Sequence, residues 1–438
     1  MTVVGTTALA LTMSFGGLVG VASADTVVGD PIAVGAGPLG VAFSPDGARA
    51  YITNLASRSV FVIDTTAVPP AVVGDPIGVG AFPNGVAVSP DGDRVYVVNH
   101  DSNSVSVIDT TAVPPAVTAI VPVGVLPTGL AVSPDGDRVY VASWGDNSVS
   151  VIDTTAVLPA IVGDPIGVGA GPVGLAVSPD GDRIYVTNPG DNSVSVIDTT
   201  AVPLVVVGQP IGVGVRPSGV AFAPNGDRAY VANQGDSSVS VIDTTAVPPT
   251  VVGQPIGVGV NPSVIAFTPD GDRAYVTNQG DSSVSVIDTS AVPPAVVGQP
   301  IAVGERPYGV AVSPDGAHAY VANQGSNSVS VIAIGQAPTL AGTPPTGVLG
   351  QSYNYAFTAT GRPTPVVTVT AGEPPSGLQL SEAGVLTGKP TVAGTFTFTV
   401  TATNGIDDPT DLPVTMTVEA PTTGSVNSLD FSFWGFGS

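Results

Sequence analysis

Two histidines and no cysteine are the entire supply of imidazole and thiol in this chain of 438 residues. A serine or threonine nucleophile needs a base within hydrogen-bond reach. His318 stands where six other copies of an internal repeat carry Arg49, Arg94, Arg138, Arg183, Arg228 and Arg273, so it reads as a structural replacement. His100 lies in a polar loop with no recognisable partner. The missing cysteines exclude disulfides, thiolate zinc sites, C-x-x-C-H haem attachment and cysteine nucleophiles. Two G-x-G-x-x-G matches, Gly35 to Gly40 and Gly169 to Gly174, carry Pro and lead into strand patterns where a phosphate loop opens a helix, which excludes dinucleotide binding. The repeated Asp-Gly-Asp-Arg, as in Asp91 to Arg94, suggests calcium, but a cation that takes 6–8 oxygens needs more than two hairpin carboxylates. It is expected to form a turn with an Asp/Arg surface pair. Asp407, Asp408 and Asp411 show no complete ligand set either. The expectation is therefore no catalytic residue, no resident cofactor and no enzyme, with calcium as the ion to test.

The elements that would position such residues must be β. Only 10% of residues are charged, and Gly (55) and Pro (43) supply over a fifth of the chain, which disfavours long helices. A formal charge of -23 repels phosphate backbones and anionic lipid, so no nucleic-acid partner is expected. An apolar stretch from Val3 to Val21 precedes Ala22-Ser23-Ala24, which fits an export signal over residues 1–24, although no Lys or Arg occurs before Arg49. No second candidate span follows, and the mature chain is expected to be secreted or associated with the cell envelope.

The tyrosine of the pattern R-x-Y-[VI]-x-N recurs at Tyr51, Tyr96, Tyr140, Tyr185, Tyr230, Tyr275 and Tyr320, with Ser143 and His318 as the departures, at intervals of 45 residues apart from one of 44. Such a period implies a propeller or solenoid. Within one copy, GVAVS (Gly85 to Ser89), the turn Ser89-Pro90-Asp91-Gly92, RVYVVN (Arg94 to Asn99) and SVSVID (Ser104 to Asp109) predict three strands, and Thr118 to Val123 a fourth on the outer edge. Seven such sheets, arranged radially, cover one another's Val, Ile and Tyr side chains. The first copy is preceded by an orphan fourth strand, Thr26 to Val34, and the last stops after Ser328 to Ile332. The N-terminal strand is expected to complete the seventh blade.

Tyr185-Val186-Thr187-Asn188 and Tyr275-Val276-Thr277-Asn278 resemble the signature of the YVTN-type β-propeller repeat family, over about residues 26–334. The resemblance implies an extracellular or envelope setting and no particular reaction. Past a Pro/Gly-rich linker (336–350), Pro375 to Leu378 with Gly384 to Thr391 and Gly394-Thr395-Phe396 resemble the bacterial Ig-like, cadherin-like domain over roughly residues 337–419. The fold class is thus all-β: a seven-bladed propeller (25–335), an Ig-like sandwich (351–419), and a tail (420–438) bearing Phe431, Phe433, Trp434 and Phe436.

Copies differ most in two loops that propeller topology places on one face. There stand Phe82, Asn84, His100, Trp144, Arg216, Arg306 and Tyr308, with Arg58 where other copies have Asn or Ser. Aromatic and Arg side chains on a rigid scaffold suit a binding face. The sequence therefore points to a non-catalytic surface scaffold that contacts an extracellular protein or glycan. The alternative is a lactonase-like propeller hydrolase that works in the central pocket.

Overall fold

The computed structural model describes residues 25–404, 406 and 409–421. Among them every regular element is a strand. Blade one shows the plan: Pro38–Phe43, Arg49–Asn54, Ser59–Asp64 and Ala71–Gly78 pair in that order from axis to rim. Six further sheets repeat it, which gives the expected seven blades.

The second strands are almost wholly buried, from RAYITN in blade one to HAYVAN in blade seven, because blades cover both their faces. Each core cluster draws on two neighbouring blades. Tyr51, Val60, Val62 and Ile77 pack on Val95, Val97 and Ile108 of the next sheet. The seam between blades seven and one is built alike, with Ala50, Ile52 and Ile63 against Tyr320, Val329 and Val331, and Phe43 edge-on to Tyr320 at 4.9 Å. At roughly 1.5–3 kcal/mol per buried aliphatic or aromatic side chain, packing of this kind holds a cysteine-free ring together.

The ring closes as the two ends of the array imply. Thr26 and Val27 pair with Ala333 and Ile332, and Ile32 and Ala33 with Val329 and Ser328. The closing segment is two short strands instead of one, as are the outer strands of blades three and four. Just before it, the buried carboxylate of Asp25 accepts hydrogen bonds from Arg273 Nη1 (2.9 Å) and the Tyr275 hydroxyl (2.6 Å) on blade six.

The Asp-Gly-Asp-Arg hairpins are turns, and in blade two the arginine hydrogen-bonds across to the next blade. Asp91 Oδ1 accepts the Ser89 hydroxyl at 2.5 Å and the Asp93 amide at 3.0 Å, while Arg94 Nη1 reaches across to the Thr154 carbonyl at 2.9 Å. The serine bond, with backbone help, holds Asp91 below the usual carboxylate range.

A second compact unit runs from Gly335. The expected linker is part of it: Gln336–Ala341 pairs with Thr358–Arg362, and Gly347–Val348 runs parallel to the strand Thr410–Glu419. Proline is compatible with such edge strands, so its density there does not signal a linker. The core of this unit gathers Phe357, Leu386, Phe398 and Met416. The expected export signal (1–24), Asp407 and Asp408, and the tail aromatics lie outside the described residues. Asp411 Oδ1 accepts the Thr401 hydroxyl at 2.5 Å.

Candidate functional site at the axial mouth

The inner strands converge on the axis in a fixed triplet. Its middle residue is glycine in six blades and Val264 in the other. Glycine is required by proximity: a Cβ on Gly129 or Gly219 would stand 2.5 Å from the carbonyl oxygen of the neighbouring inner strand. Threonines on the second strands tie these strands together, Thr53 to the Asn84 carbonyl (2.7 Å), Thr187 to Ser218 (2.6 Å) and Thr277 to Tyr308 (2.6 Å). That bond gives the third letter of the YVTN pattern a structural role. The first residue of each triplet is free to vary, and Asn84, Thr128, Ser218, Ser263 and Tyr308 bring polar atoms to an axial cavity of about 190 Å³ that is otherwise lined by Val, Leu and Gly. Burial pushes the Tyr308 phenol above its ordinary pKa.

Above this cavity two loops per blade meet in a repeated pair. The loop entering the inner strand carries a residue in the left-handed region: Phe82 (φ 54°), Leu126 (51°), Arg216 (52°), Asn261 (54°) and Arg306 (50°), with Gly37 and Gly171 in blades one and four. Its carbonyl accepts the amide of the first residue of the loop between the second and third strands, as in Phe82 with His100 (3.1 Å), Leu126 with Trp144 (3.1 Å) and Arg306 with Gln324 (3.1 Å). Gln279, at that same loop position in blade six, donates its Nε2 to the Ser263 hydroxyl of the cavity, so this position stands over the rim. Asparagines clamp neighbouring blades by accepting the amide of the left-handed residue: Asn103 from Leu126 (2.8 Å), Asn147 from Gly171 (2.7 Å), Asn192 from Arg216 (2.8 Å), and Asn327 from Gly37 (2.8 Å) across the seam. Arg58 takes the clamp position in blade one, exposed and at φ 50°.

Left-handed backbone costs a side chain other than glycine about 1–2 kcal/mol, and asparagine less. Blades one and four show that glycine fits here, yet Phe82, Leu126, Arg216 and Arg306 retain bulky side chains in that strained conformation. Strain of this sort persists where the surrounding structure holds the backbone in place, here through the hydrogen bond from the paired loop.

The structure thus brings the sequence-derived residues together on one face, with two corrections. Asn84 and Tyr308 lie on inner strands and line the cavity instead of standing on loops. His100 does have a partner, because its Nδ1 lies 2.8 Å from Asp101 Oδ1. Half-exposed Trp144 leans over Gly171, where a Cβ would fall 2.8 Å from the indole Nε1. Leu126, Asn261, Thr128, Ser218 and Ser263 escaped the sequence reading, although they occupy the same repeat positions as Phe82 or Tyr308 and register alone could have found them. Among the described residues no group of three or more His, Asp or Glu is placed to hold a metal ion.

The described fold is a closed seven-bladed β-propeller with an axial cavity beneath variable loops. A family model described as "Lactonase, 7-bladed beta-propeller" matches residues 27–157 and 220–343, more than half of the chain, and one described as "Putative Ig domain" matches residues 337–419. The chain belongs to the seven-bladed β-propeller lactonase family, with an Ig domain appended. Among solved structures it is similar to a hydrazine synthase structure from Kuenenia stuttgartiensis, at 27% identity and TM-score 0.60, over 68% of this chain and 95% of that one. A "putative 6-phosphogluconolactonase" from Bacteroides uniformis shares the fold at 18% identity and TM-score 0.56, over 67% and 90% of the two chains. The β-propeller domain of Myceliophteria thermophila Cps50 (Swd1) does so at 11% and 0.59, over 71% and 99%. A search of curated proteins returns no match.

The lactonase family match overturns the reading of the chain as a non-enzyme. That reading counted histidines, cysteines and metal clusters along the sequence. It missed that a lone loop histidine gains a carboxylate partner, and that tyrosine and asparagine side chains line one cavity.

Proposed function

We propose that the propeller hydrolyses a small lactone at the axial mouth. Membership of the lactonase family supports this reading, as does an axial cavity lined in part by polar side chains. A cavity of about 190 Å³ falls below the roughly 300 Å³ at which drug-sized pockets begin, so it suits a compact ring. In the tautomer in which Nδ1 donates to Asp101, the His100 imidazole presents Nε2 as a base for the attacking water. Asn84, on the inner strand of the same blade, and Tyr308 supply donors for the carbonyl oxygen as it gains charge. Water adds to the acyl carbon, the ring C–O bond breaks, and the product is a hydroxy acid. The surface-scaffold reading yields to this one. Export from the cell, with the Ig-like module as a spacer, remains part of the proposal.

The test is proton release on a panel of five- and six-membered lactones. Wild type should exceed the uncatalysed rate. His100→Gln should lower kcat by about 10²-fold or more, as expected of a lost general base, and Tyr308→Phe should lower it less. Turnover that is absent across the panel, or indifferent to both substitutions, would refute the proposal.

A further inference from the structure

The rim pairs are sorted by chemistry around the ring. Blades two and three present Phe82 with His100 and Leu126 with Trp144. Blades five to seven present Arg216 with Gln234, Asn261 with Gln279, and Arg306 with Gln324. Between these sectors, blades one and four carry Gly37 and Gly171. The face therefore has an aromatic side and a donor-rich side across one small cavity.

Arginine placement sharpens the point. Residues 25–335 contain nine arginines, and six of them begin the second strands at the opposite ends of the blades. The other three, Arg58, Arg216 and Arg306, are all on the mouth, exposed, and without an ion-pair partner among the described residues. Two of them keep a left-handed backbone at a position where the fold accepts glycine. Acidic neighbours limit what these arginines can hold. Asp236 and Asp281 accept the Val215 and Val260 amides at 3.0 Å, and Glu305 precedes Arg306. Against those carboxylates and a chain charge of -23, a phosphate dianion is repelled, whereas one carboxylate can be gripped by guanidinium and side-chain amide donors.

We infer that the mouth binds an amphipathic monocarboxylate, with its apolar or aryl group on the Phe82/Trp144 side and its carboxylate on the Arg216/Arg306 side. Resting on the proposed hydrolysis, this makes the substrate a lactone with an apolar substituent, and the ligand in question its ring-opened acid. Such a ligand shares its recognition between stacking on aromatic faces and charge-assisted hydrogen bonds.

Calorimetric titration with 2-naphthoate, 2-naphthalenemethanol and 2-naphthyl phosphate tests it without any turnover. Naphthoate should bind at least tenfold tighter than the other two. Arg216→Gly and Arg306→Gly, which the fold tolerates at Gly37 and Gly171, should weaken naphthoate at least fivefold and leave the alcohol unchanged. Trp144→Ala should weaken both. Equal binding of the three probes, no binding at all, or indifference to both arginine substitutions overturns the inference. Lactone turnover by a protein that does not bind naphthoate sinks this inference alone. Naphthoate selectivity without turnover on any lactone supports it and sinks the proposed reaction instead.

Discussion

Replacing Asp25 by Ala tests how the ring is locked. The Asp25 carboxylate is inaccessible to solvent and the Arg273 side chain 19% exposed, and the substitution deprives both Arg273 Nη1 and the Tyr275 hydroxyl of this acceptor. Two hydrogen bonds to a charged group, at about 1.5 kcal/mol each, give a loss of about 3 kcal/mol. Removal of one partner from a buried ion pair costs about 3–5 kcal/mol, and the partial exposure of Arg273 places this case at the lower end. With an unfolding entropy of about 2.1 cal/mol/K per residue over a propeller of roughly 310 residues, that loss lowers Tm by about 5 °C. Calorimetric melts of wild type, Asp25→Ala, Tyr275→Phe and the double variant read it directly. Because Tyr275 and Asp25 share one bond, the double variant should lose about 1 kcal/mol less than the sum of the single losses. A shift of Asp25→Ala below about 1 °C, or strict additivity with Tyr275→Phe, would refute the lock.

Deletion of Thr26 to Val34 removes the outer strands of blade seven and exposes the edge of Ser328–Ala333, so it should lower Tm by well over the Asp25→Ala shift; an unchanged melt would contradict closure by this segment. Asp46, Asp91, Asp135 and Asp180 are all held below the usual range, first by a serine hydroxyl. Their stabilisation is complete above the unfolded carboxylate value of about 4 and is lost as pH falls through their folded values, so melts in acid should fall along that descent, and less steeply in Ser89→Ala. At the other extreme, burial raises the tyrosines, with Tyr320 pushed up to about 12. This contribution is intact below the unfolded value of about 10 and is lost as pH rises towards 12, so tyrosinate absorbance and loss of β-structure should rise together. Phe82→Gly relieves left-handed strain worth about 1–2 kcal/mol against a glycine entropy cost of roughly 0.5–1 kcal/mol, and should leave stability unchanged or slightly raised while ligand binding falls; a large drop in Tm would show that the side chain is held for packing.

The sequence by itself determined the blades. Tyr51 to Tyr320 recur at a spacing that implies a propeller or solenoid, and the unmatched ends at Thr26 and Ile332 pointed to a closed ring, because repeat count and strand alternation are local properties of the chain. It also placed Trp144, Arg216 and Arg306 on one face through variation between copies. Tertiary structure decided the rest. Asp25 finds Arg273 only when the circle closes over 248 residues, the left-handed backbone at Phe82 and Arg306 follows from how each loop crosses to its neighbour, and the division of the mouth into aromatic and donor-rich sectors exists only once seven blades share an axis. A residue's neighbours across a ring are set by the geometry of closure, and no window of sequence contains them.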